Sequence, residues 1–498
     1  MKQNKIFVLI FFTALSFCLP FETFALDLEQ RVIRSKLKNG ITVLMMERHI
    51  SPTVSLFIRH RIGAVDEKPG ETGAAHMLEH MMFKGTKTIG TKDYAAEKIL
   101  LEAIEETGTA LDKERNKGQK ADAKTIEKLS ARLRKLQDEH KKYVIPNEID
   151  RIYTQNGGLD MNASTGQDVT TYHVSLPANK IELWARIESD RLLNPVFREF
   201  YTEREVVMEE RRQRVDTNPE GKLYEEFMNT AYKVHPYKNP ILGWPEDIMN
   251  YRPATMKRFF EKYRAPENTV IAVVGAINPK ETLKLIEKYF GQIPAAKQKD
   301  TPLPPEPKQT QERRAEVIFD ANPAMIIGYH KPNFPAFDDY VFDVMETILS
   351  QGRTSRFYNV LLTQMQIATS VNVYNGLPAA RYPNLFTIFA RPRHPHTNDE
   401  LEEVIYKEID KLKTKQVTAQ ELTKAKNQMR MKFIGSLDSN SKIASIISYY
   451  EVIFGDYKYF SDYLKNIDKI TAEDIRRVAN TYLNKENRTV AVLKKKEE

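Results

Sequence analysis

Two histidines and a glutamate stand close together in residues 73–86, GAAHMLEHMMFKGT. His76 and His80 are four positions apart, so on a helix both imidazoles lie on one face and can bind one divalent metal, most naturally zinc. Glu79 lies between them, where its carboxylate can take a proton from the attacking water. The spacing H-x-x-E-H is that of one group of zinc peptidases, and it predicts zinc-assisted hydrolysis of peptide bonds.

A catalytic zinc site needs a third protein ligand and one open position. The stretch TEREVVMEERRQR offers Glu203 and Glu210, which are seven positions apart and therefore share one face of a helix. We predict Glu210 as the third ligand of one Zn²⁺ per chain, and Glu203 as an acid beside the site that orients a ligand or the water. The alternative is that both are ordinary members of a charged helix. Manganese or cobalt would also suit this ligand set.

The composition is that of a globular protein with more than one domain. The chain has 498 residues, of which 41% are hydrophobic and 29% are charged. Its net charge of +8 is spread along the chain, and no basic run is interleaved with aromatic residues. We therefore predict no nucleic-acid partner.

The N-terminus has the pattern of a signal peptide. Two lysines precede an apolar run at residues 6–19, and Thr23 and Ala25 provide small residues at the minus-three and minus-one positions. This predicts a signal peptide of residues 1–25 and export of the chain to a bacterial periplasm. An uncleaved anchor is the alternative, although the run is shorter than the roughly 20 residues that span a bilayer. Cys18, the only cysteine, is an alternative site for lipid attachment.

The segments around the histidines indicate both strands and helices. Residues 32–58 alternate like strands, with a hairpin turn at residues 39–40 (Asn-Gly), and residues 269–275 form an apolar run suited to a buried strand. Residues 181–191 and 200–214 have helical patterns, and the second of these segments carries both glutamates.

An edge strand is predicted within residues 157–177, where β-branched and aromatic residues alternate. Asn162, Ala163 and Ser164 form a polar stretch of small residues, which suits the exposed edge of a sheet. Such an edge can bind an extended peptide through main-chain hydrogen bonds. We therefore predict that these three residues bind substrate.

Residues 97–144 differ from their flanks because their later part is heavily charged, with leucines at helical spacing. The pattern predicts a helical hairpin that projects from the body of the protein. Such a hairpin is either a solvated excursion without specific function or an arm that docks a partner.

A proline-rich, charged linker is predicted at residues 296–312, between domains at 26–295 and 313–498. The end of each domain has the same pattern: residues 263–273 and 482–492 both begin with a tyrosine, and an asparagine leads into an apolar run. This similarity predicts a duplicated domain. The second copy has no H-x-x-E-H, so only the first would hold a metal.

These motifs together resemble the pitrilysin/insulinase family of metallopeptidases, of the small type that includes the mitochondrial processing peptidase subunits. Residues 73–86 are similar to the metal helix of that family, EREVVMEE to its second metal helix, NASTGQDVTTY to its substrate-binding edge strand, and YRAPENTVIAVVGAINP to the end of its first domain. The resemblance implies an α+β fold with two homologous domains, each a mixed sheet flanked by helices. Together they would form half of a clam-like chamber that admits peptides or unfolded proteins.

Two features depart from the pattern of this family. His80 and Glu210 are further apart in sequence than is usual, and an insertion at residues 97–144 accounts for most of the excess. Active members also need an arginine and a tyrosine, seven residues apart, in the second half of the chamber, and the matching positions here are Leu362 and Thr369. This departure predicts a hetero-oligomer with a homologous subunit that lacks the metal and supplies the pair, or else a homodimer. The alternative function is a non-catalytic scaffold or a peptide-holding subunit.

Overall fold

The computed structural model describes residues 28–295 and 302–495. The predicted signal peptide at residues 1–25 lies outside the described residues, and so does the first part of the predicted linker, residues 296–301. Within the described ranges, none of the helices combines the length and the hydropathy that crossing a membrane would require.

The described residues contain short runs of strands separated by runs of helices. The strands are β1 (Ile33–Lys36), β2 (Thr42–Glu47), β3 (Thr53–His60), β4 (Leu159–Thr165), β5 (Thr170–Pro177), β6 (Thr269–Gly275), β7 (Arg313–Phe319), β8 (Ala324–Lys331), β9 (Ala368–Leu377), β10 (Asn384–Pro392) and β11 (Arg488–Lys495). The helices of the first half are α1 (Ala74–Met82), α2 (Tyr94–Arg115), α3 (Ala123–His140), α4 (Glu148–Gln155), α5 (Ile181–Leu193), α6 (Phe200–Arg211), α7 (Pro219–Ala231), α8 (Pro245–Met249), α9 (Pro253–Tyr263) and α10 (Pro279–Phe290). Those of the second half are α11 (Phe337–Ser350), α12 (Asn398–Thr414), α13 (Ala419–Gly435), α14 (Asn440–Phe454), α15 (Tyr459–Lys469) and α16 (Ala472–Tyr482).

The strands form two sheets with one topology. The first has the order β1-β2-β6-β3-β5-β4, and the second has the order β7-β11-β8-β10-β9. In each sheet a single pair is parallel, β2 with β6 and β7 with β11, and the other neighbours are antiparallel. The second sheet therefore repeats the first without β1. This confirms the predicted α+β class and the repeated architecture, while the predicted domain boundaries stay a prediction.

The repetition also gives α1 a counterpart, because α11 follows the second strand of the second half as α1 follows β3. The sequence of α11, FDDYVFDVMETILS, contains no histidine. The predicted metal ligands of the first half are therefore not repeated in this helix.

One helix of each half packs against the sheet of the other half. Helix α14 packs against β3 and β6 of the first sheet, and α7 packs against β7, β8 and β11 of the second. Phe57 and Ile447 share one of the resulting apolar clusters, and Phe227 and Ile326 share the other. Because both faces of each sheet are thereby covered, every residue of β6 is buried, as its apolar run predicted.

The charged segment forms the predicted helical hairpin, α2 and α3, but it does not project from the body. Gly108 of α2 lies so close to α6 that a Cβ there would stand 2.1 Å from Tyr201 Cζ. Arg198 Nε donates to Glu97 Oε1 of α2 at 2.7 Å, and His140 Nε2 of α3 lies 2.8 Å from the same oxygen. The prediction of a projecting arm is wrong because the far part of α2 also lies against the domain, where Asp112 pairs with Arg204 of α6 and both side chains are buried.

Candidate metal centre

Contacts at the N-terminal end of helix α1 fix its position and therefore the direction of its side chains. Its N-cap, Gly73, has φ 88°, and a Cβ there would stand 2.5 Å from the carbonyl oxygen of Leu242. The carboxylate of Glu67 accepts hydrogen bonds from the backbone N–H groups of Gly73 (2.7 Å) and Ala75 (2.8 Å). Apolar residues of the helix such as Leu78 enter the core. The opposite side of α1 is thereby left for polar groups.

The structure brings the three predicted metal ligands together. One ligand atom from each of His76, His80 and Glu210 lies within 4.8 Å of the other two. His76 Nε2 is 3.6 Å from Glu210 Oε2, and His80 Nε2 is 3.4 Å from the same oxygen. Ligands at about 2.0–2.1 Å from a tetrahedral zinc lie about 3.4 Å apart. The donor types and the spacing therefore fit this metal, and no other described residues form such a group of three.

Glu203 contacts Nδ1 of His80, whereas Nε2 of the same ring faces Glu210. His80 Nδ1 is 2.9 Å from Glu203 Oε1, and Lys84 Nζ is 2.6 Å from Glu203 Oε2. Burial raises the pKa of Glu203, but the hydrogen bonds from His80 and Lys84 outweigh it and lower the pKa to about 2. An ionised Glu203 accepts a hydrogen bond from the N–H at Nδ1, which leaves Nε2 of His80 directed at the metal position.

The two histidines differ in charge before a metal binds. Burial lowers the pKa of His76 to about 4, and the neighbouring His80 contributes to the shift. Burial also lowers the pKa of His80, but Glu203 and Glu210 outweigh it and raise the pKa to about 9. The hydrogen bond from His80 lowers the pKa of Glu210, so this carboxyl is ionised. A cation at this cluster would displace the proton of His80.

Glu79 projects from α1 toward the edge strand. Its Oε2 accepts a hydrogen bond of 2.5 Å from Thr165 Oγ1, at the end of β4. Burial raises the pKa of Glu79, although the hydroxyl of Thr165 opposes the shift. A carboxylate with a raised pKa is better suited to accept a proton near neutral pH.

Strand β4 is the outermost strand of the first sheet, as predicted. It pairs with β5, with Asn162 opposite His173 and Ser164 opposite Thr171. Asn162 and Ser164 are exposed and Ala163 is half-buried. The edge geometry predicted from the sequence is confirmed, while the binding of substrate by these three residues stays a prediction.

Sequence reasoning missed the hydrogen bond of Thr165 and the ion pair of Lys84. The alternation within β4 places Thr165 on the same face as Met161 and Ala163, which lie against the first core. This two-residue period was the feature of the sequence from which the position of Thr165 could have been predicted. No local pattern marks Lys84, because its partner Glu203 is distant in sequence.

The two positions that depart from the family pattern lie before β9 and near its start. Leu362 is half-buried in a π-helical turn, Tyr358–Gln364, and packs against the second core. Thr369 is exposed near the start of β9, and its Oγ1 donates to the carbonyl of Arg391 at 3.3 Å. Neither side chain carries a positive charge or a phenol.

Comparison with known proteins identifies models of one family in both halves. The model described as Insulinase (Peptidase family M16) matches residues 42–128 and 136–244, and the model described as Peptidase M16 inactive domain matches residues 252–429. A relative from Helicobacter pylori, the zinc protease PqqE, is 29% identical over 468 residues, which are 92% of this chain and 91% of that protein.

Solved structures agree on the fold. The crystal structure of a protease from Helicobacter pylori superposes with a TM-score of 0.77 at 27% identity, over 93% of this chain and 99% of that chain. The periplasmic protease PqqL from Escherichia coli superposes with a TM-score of 0.69 at 16% identity. That likeness covers 93% of this chain but 48% of the longer protein.

Proposed function

We propose that this chain, which belongs to the insulinase family of peptidases (M16), is an exported zinc-dependent endopeptidase that cuts peptides or unfolded segments. The observation that carries the proposal is the convergence of His76 Nε2, His80 Nε2 and Glu210 Oε2 beside the carboxylate of Glu79. A relative named as a zinc protease supports both the metal and the reaction.

The proposed mechanism assigns one task to each side chain. When bound, zinc polarises the carbonyl of the bond to be cut and acidifies the attacking water. His76, His80 and Glu210 would hold it. Glu79 takes the proton of the water at Oε1, the oxygen that Thr165 leaves free, and passes it to the leaving amine.

Substrate binding is assigned to the free edge of β4. A peptide added there as a further strand would bond to the main chain of residues 162–164 and lie next to α1, which contacts β4. An extended peptide or an unfolded segment can adopt this conformation, whereas a folded domain cannot. This supports peptides and unfolded proteins as the class of substrate.

A partner subunit completes the proposal. This chain covers about half of the Escherichia coli protein that shares its fold, which supports a chamber closed by a second, homologous half. Because Leu362 and Thr369 stand where an arginine and a tyrosine are expected, the partner would supply that pair. The same two residues favour the second candidate function, a subunit that holds peptides without cutting them.

Export to a periplasm is proposed from the pattern of residues 1–25. The test is the N-terminal sequence of the protein isolated from its own cells. A chain that begins at residue 26 would support cleavage after Ala25, and a chain that keeps the apolar run would contradict it.

The test of the peptidase uses the chain from residue 26, loaded with zinc and incubated with a mixture of unstructured peptides. Mass spectrometry would compare the unchanged protein with Glu79→Gln and with Glu102→Gln, a control at an exposed glutamate of α2. Cleavage lost only in Glu79→Gln, with one zinc per chain retained, would support a peptidase that acts alone. Equal cleavage by all three proteins would rule out Glu79 as the base.

The same incubation separates the two candidate functions. Peptide binding without cleavage by the zinc-loaded chain would mean that the chain needs its partner or only holds peptides. The next step is to add the proteins that co-purify with the chain from its own cells, which distinguishes a need for a partner from a function limited to holding peptides. Cleavage restored by such a protein, and again lost in Glu79→Gln, would favour the peptidase over the peptide-holding subunit.

A further inference from the structure

The turn between β4 and β5, residues 166–169, directly follows the residue that contacts the proposed base. Thr165 ends β4 and donates its hydroxyl hydrogen bond to Glu79. The N–H of Gly166 donates to the carbonyl of Val169 at 2.9 Å, which closes the turn. The position of this turn therefore decides where the hydroxyl of Thr165 meets the carboxylate.

The segment that leads into α1 packs against the same turn. The N–H of Ala64 donates to the carbonyl of Gly166 at 3.1 Å, and the N–H of Val65 donates to the carbonyl of Gln167 at 2.9 Å. A Cβ at Gly63 would stand 2.3 Å from the carbonyl oxygen of Gln167, so the two segments are in close contact. The turn is thus fixed to the chain that enters the helix of the histidines.

A loop of the second half reaches this turn through Asp168. The loop joins β9 to β10 and comprises residues 378–383. Asp168 Oδ2 accepts hydrogen bonds from the N–H of Ala380 at 2.9 Å and from the N–H of Arg381 at 2.7 Å. Its Oδ1 accepts a hydrogen bond of 2.7 Å from the hydroxyl of Tyr237. Because Asp168 is 2% exposed, these three bonds replace those that water would make.

The side chain of Arg381 binds the same loop to the segment that leads into α1. Its Nη2 donates to Asp66 Oδ1 at 2.6 Å, and its Nη1 donates to the carbonyl of Arg61 at 3.3 Å. Asp66 Oδ2 also accepts a hydrogen bond of 3.0 Å from the N–H of Gly63. One loop of the second half therefore contacts both of the segments that meet beside Glu79.

The loop has its own support within the second half. Asn333 Nδ2 donates to the carbonyl of Ala380 at 2.9 Å, and Asn384 Nδ2 donates to the carbonyl of Ala379 at 2.8 Å. The N–H of Tyr382 donates to the hydroxyl oxygen of Tyr237 at 3.2 Å. The two N–H groups that bind Asp168 therefore belong to a loop whose shape is fixed by the second domain.

We propose that Asp168 and Arg381 are positioning residues for the cleavage reaction. Through them the loop of the second half fixes the β4–β5 turn, and the turn keeps Thr165 in contact with Glu79. The proposal rests on the proposed function, because it concerns the base of that reaction. It gives the half of the chain without the predicted metal ligands a task at the candidate metal centre, separate from any contribution of a partner subunit.

Steady-state kinetics of the cleavage-competent protein or complex test the catalytic part of the proposal. Asp168→Ala leaves two buried N–H groups and a phenol without their acceptor, so the turn should shift. We expect kcat to fall about 10- to 100-fold while KM stays nearly unchanged. Asp168→Asn should keep most of the rate, because its amide oxygen can accept from both N–H groups while its NH₂ donates to Tyr237. Zinc content per chain reports the folded fraction, and Arg381→Gln is the second variant should Asp168→Ala not fold.

A double-mutant cycle tests whether Asp168 acts through Thr165. The variant that combines Asp168→Ala with Thr165→Val should be about as slow as Thr165→Val alone, because both changes break one chain of contacts. The control is Arg34→Gln, which removes a hydrogen bond of 2.8 Å between the halves, from β1 to Glu451 of α14. Strand β1 is at the opposite edge of the first sheet from β4. This control should keep the kcat of the unchanged protein.

Hydrogen exchange followed by mass spectrometry tests the contact without turnover or a partner. The measurement uses zinc-loaded protein and the peptides that cover residues 159–169. Local opening sets the exchange rate of such amides, and we expect it to rise about tenfold in Asp168→Ala and in Arg381→Gln. In Arg34→Gln the exchange of these peptides should equal that of the unchanged protein.

The outcomes separate this proposal from the function on which it rests. Unchanged exchange at the turn in both variants would overturn the proposal, whether or not the protein cleaves peptides. An unchanged kcat in Asp168→Ala, or losses that multiply in the double variant, would also overturn it, while the peptidase itself remained. Failure of the zinc-loaded chain to cleave any peptide, alone and with its co-purifying proteins, would contradict the proposed function, and the positioning role with it.

Discussion

Thr165 and Glu79 are joined by a hydrogen bond of 2.5 Å between the hydroxyl of one and the carboxylate of the other. Thr165 is the last residue of the edge strand β4, and Glu79 is on α1 between the two histidines. The strand assigned to the substrate therefore also positions the proposed base. A shift of β4 would be transmitted to the carboxylate through this single contact.

Thr165→Val should lower kcat and leave KM nearly unchanged. The substitution keeps the shape of the side chain but removes the hydroxyl, and a hydrogen bond to a charged group contributes about 1.5–3 kcal/mol. We expect a loss of about 10- to 100-fold in kcat, measured by steady-state kinetics of the cleavage-competent protein or complex. Thr165→Ser should restore most of the rate. A Thr165→Val enzyme as fast as the unchanged protein would show that the bond does not position Glu79.

Zinc binding should distinguish Glu210 from Glu203. Glu210→Ala removes one of three ligands and should abolish stoichiometric zinc after dialysis. Glu203→Ala removes the partner of His80 Nδ1, and loss of such a partner weakens metal affinity by about 10- to 100-fold. Elemental analysis of dialysed protein gives the zinc content, and titration with a competing chelator gives the affinity.

The control for both variants is Glu209→Ala, since this exposed glutamate pairs with Arg212 instead of the histidines. Its zinc content should equal that of the unchanged protein. A Glu210→Ala protein that keeps one tightly bound zinc would remove Glu210 from the ligand set.

Glu97→Gln should destabilise the first domain. Glu97 and Arg198 are both fully buried, and the substitution leaves the guanidinium without its countercharge. Breaking such a buried pair from one side reduces the free energy of unfolding by about 3–5 kcal/mol. Urea denaturation followed by circular dichroism measures the change, with Glu102→Gln on the exposed face of α2 as control. Equal unfolding midpoints for the two variants would contradict a structural role of the pair.

Stability should fall with rising pH because of Asp343 in α11. Burial and the nearby Asp339 raise the pKa of Asp343 to about 7, above the roughly 3.9 of an aspartate in an unfolded chain. Between these two values the folded protein binds a proton that the unfolded chain has released, so unfolding becomes easier as pH rises through this window. Asp343→Asn should flatten this dependence. Thermal unfolding at pH 5 and pH 8 measures it.

The control for this prediction is Asp410→Asn, because the side chain of Asp410 is 62% exposed. That variant should keep the pH dependence of the unchanged protein. A pH dependence of the same size in Asp343→Asn would show that other groups cause it.

Much of the fold was accessible from local patterns. The spacing of His76, Glu79 and His80 predicted a helix with both histidines on one face. The alternation in residues 157–177 predicted strands. The hairpin turn at residues 39–40 and the buried strand β6 also followed from their own residues. These predictions succeeded because helical and strand periods act over a few neighbouring residues.

The sequence by itself determined which side chains could form a metal site, because their types and their spacing within each helix are local properties. Only the tertiary structure decided that Glu210 approaches both histidines while Glu209 pairs with Arg212. The tertiary structure likewise decided that the hairpin packs against α6 and that Thr165 holds Glu79. The physical reason is that these contacts join segments far apart in the chain, and their distances are set by how the cores of the two sheets and the helices around them pack.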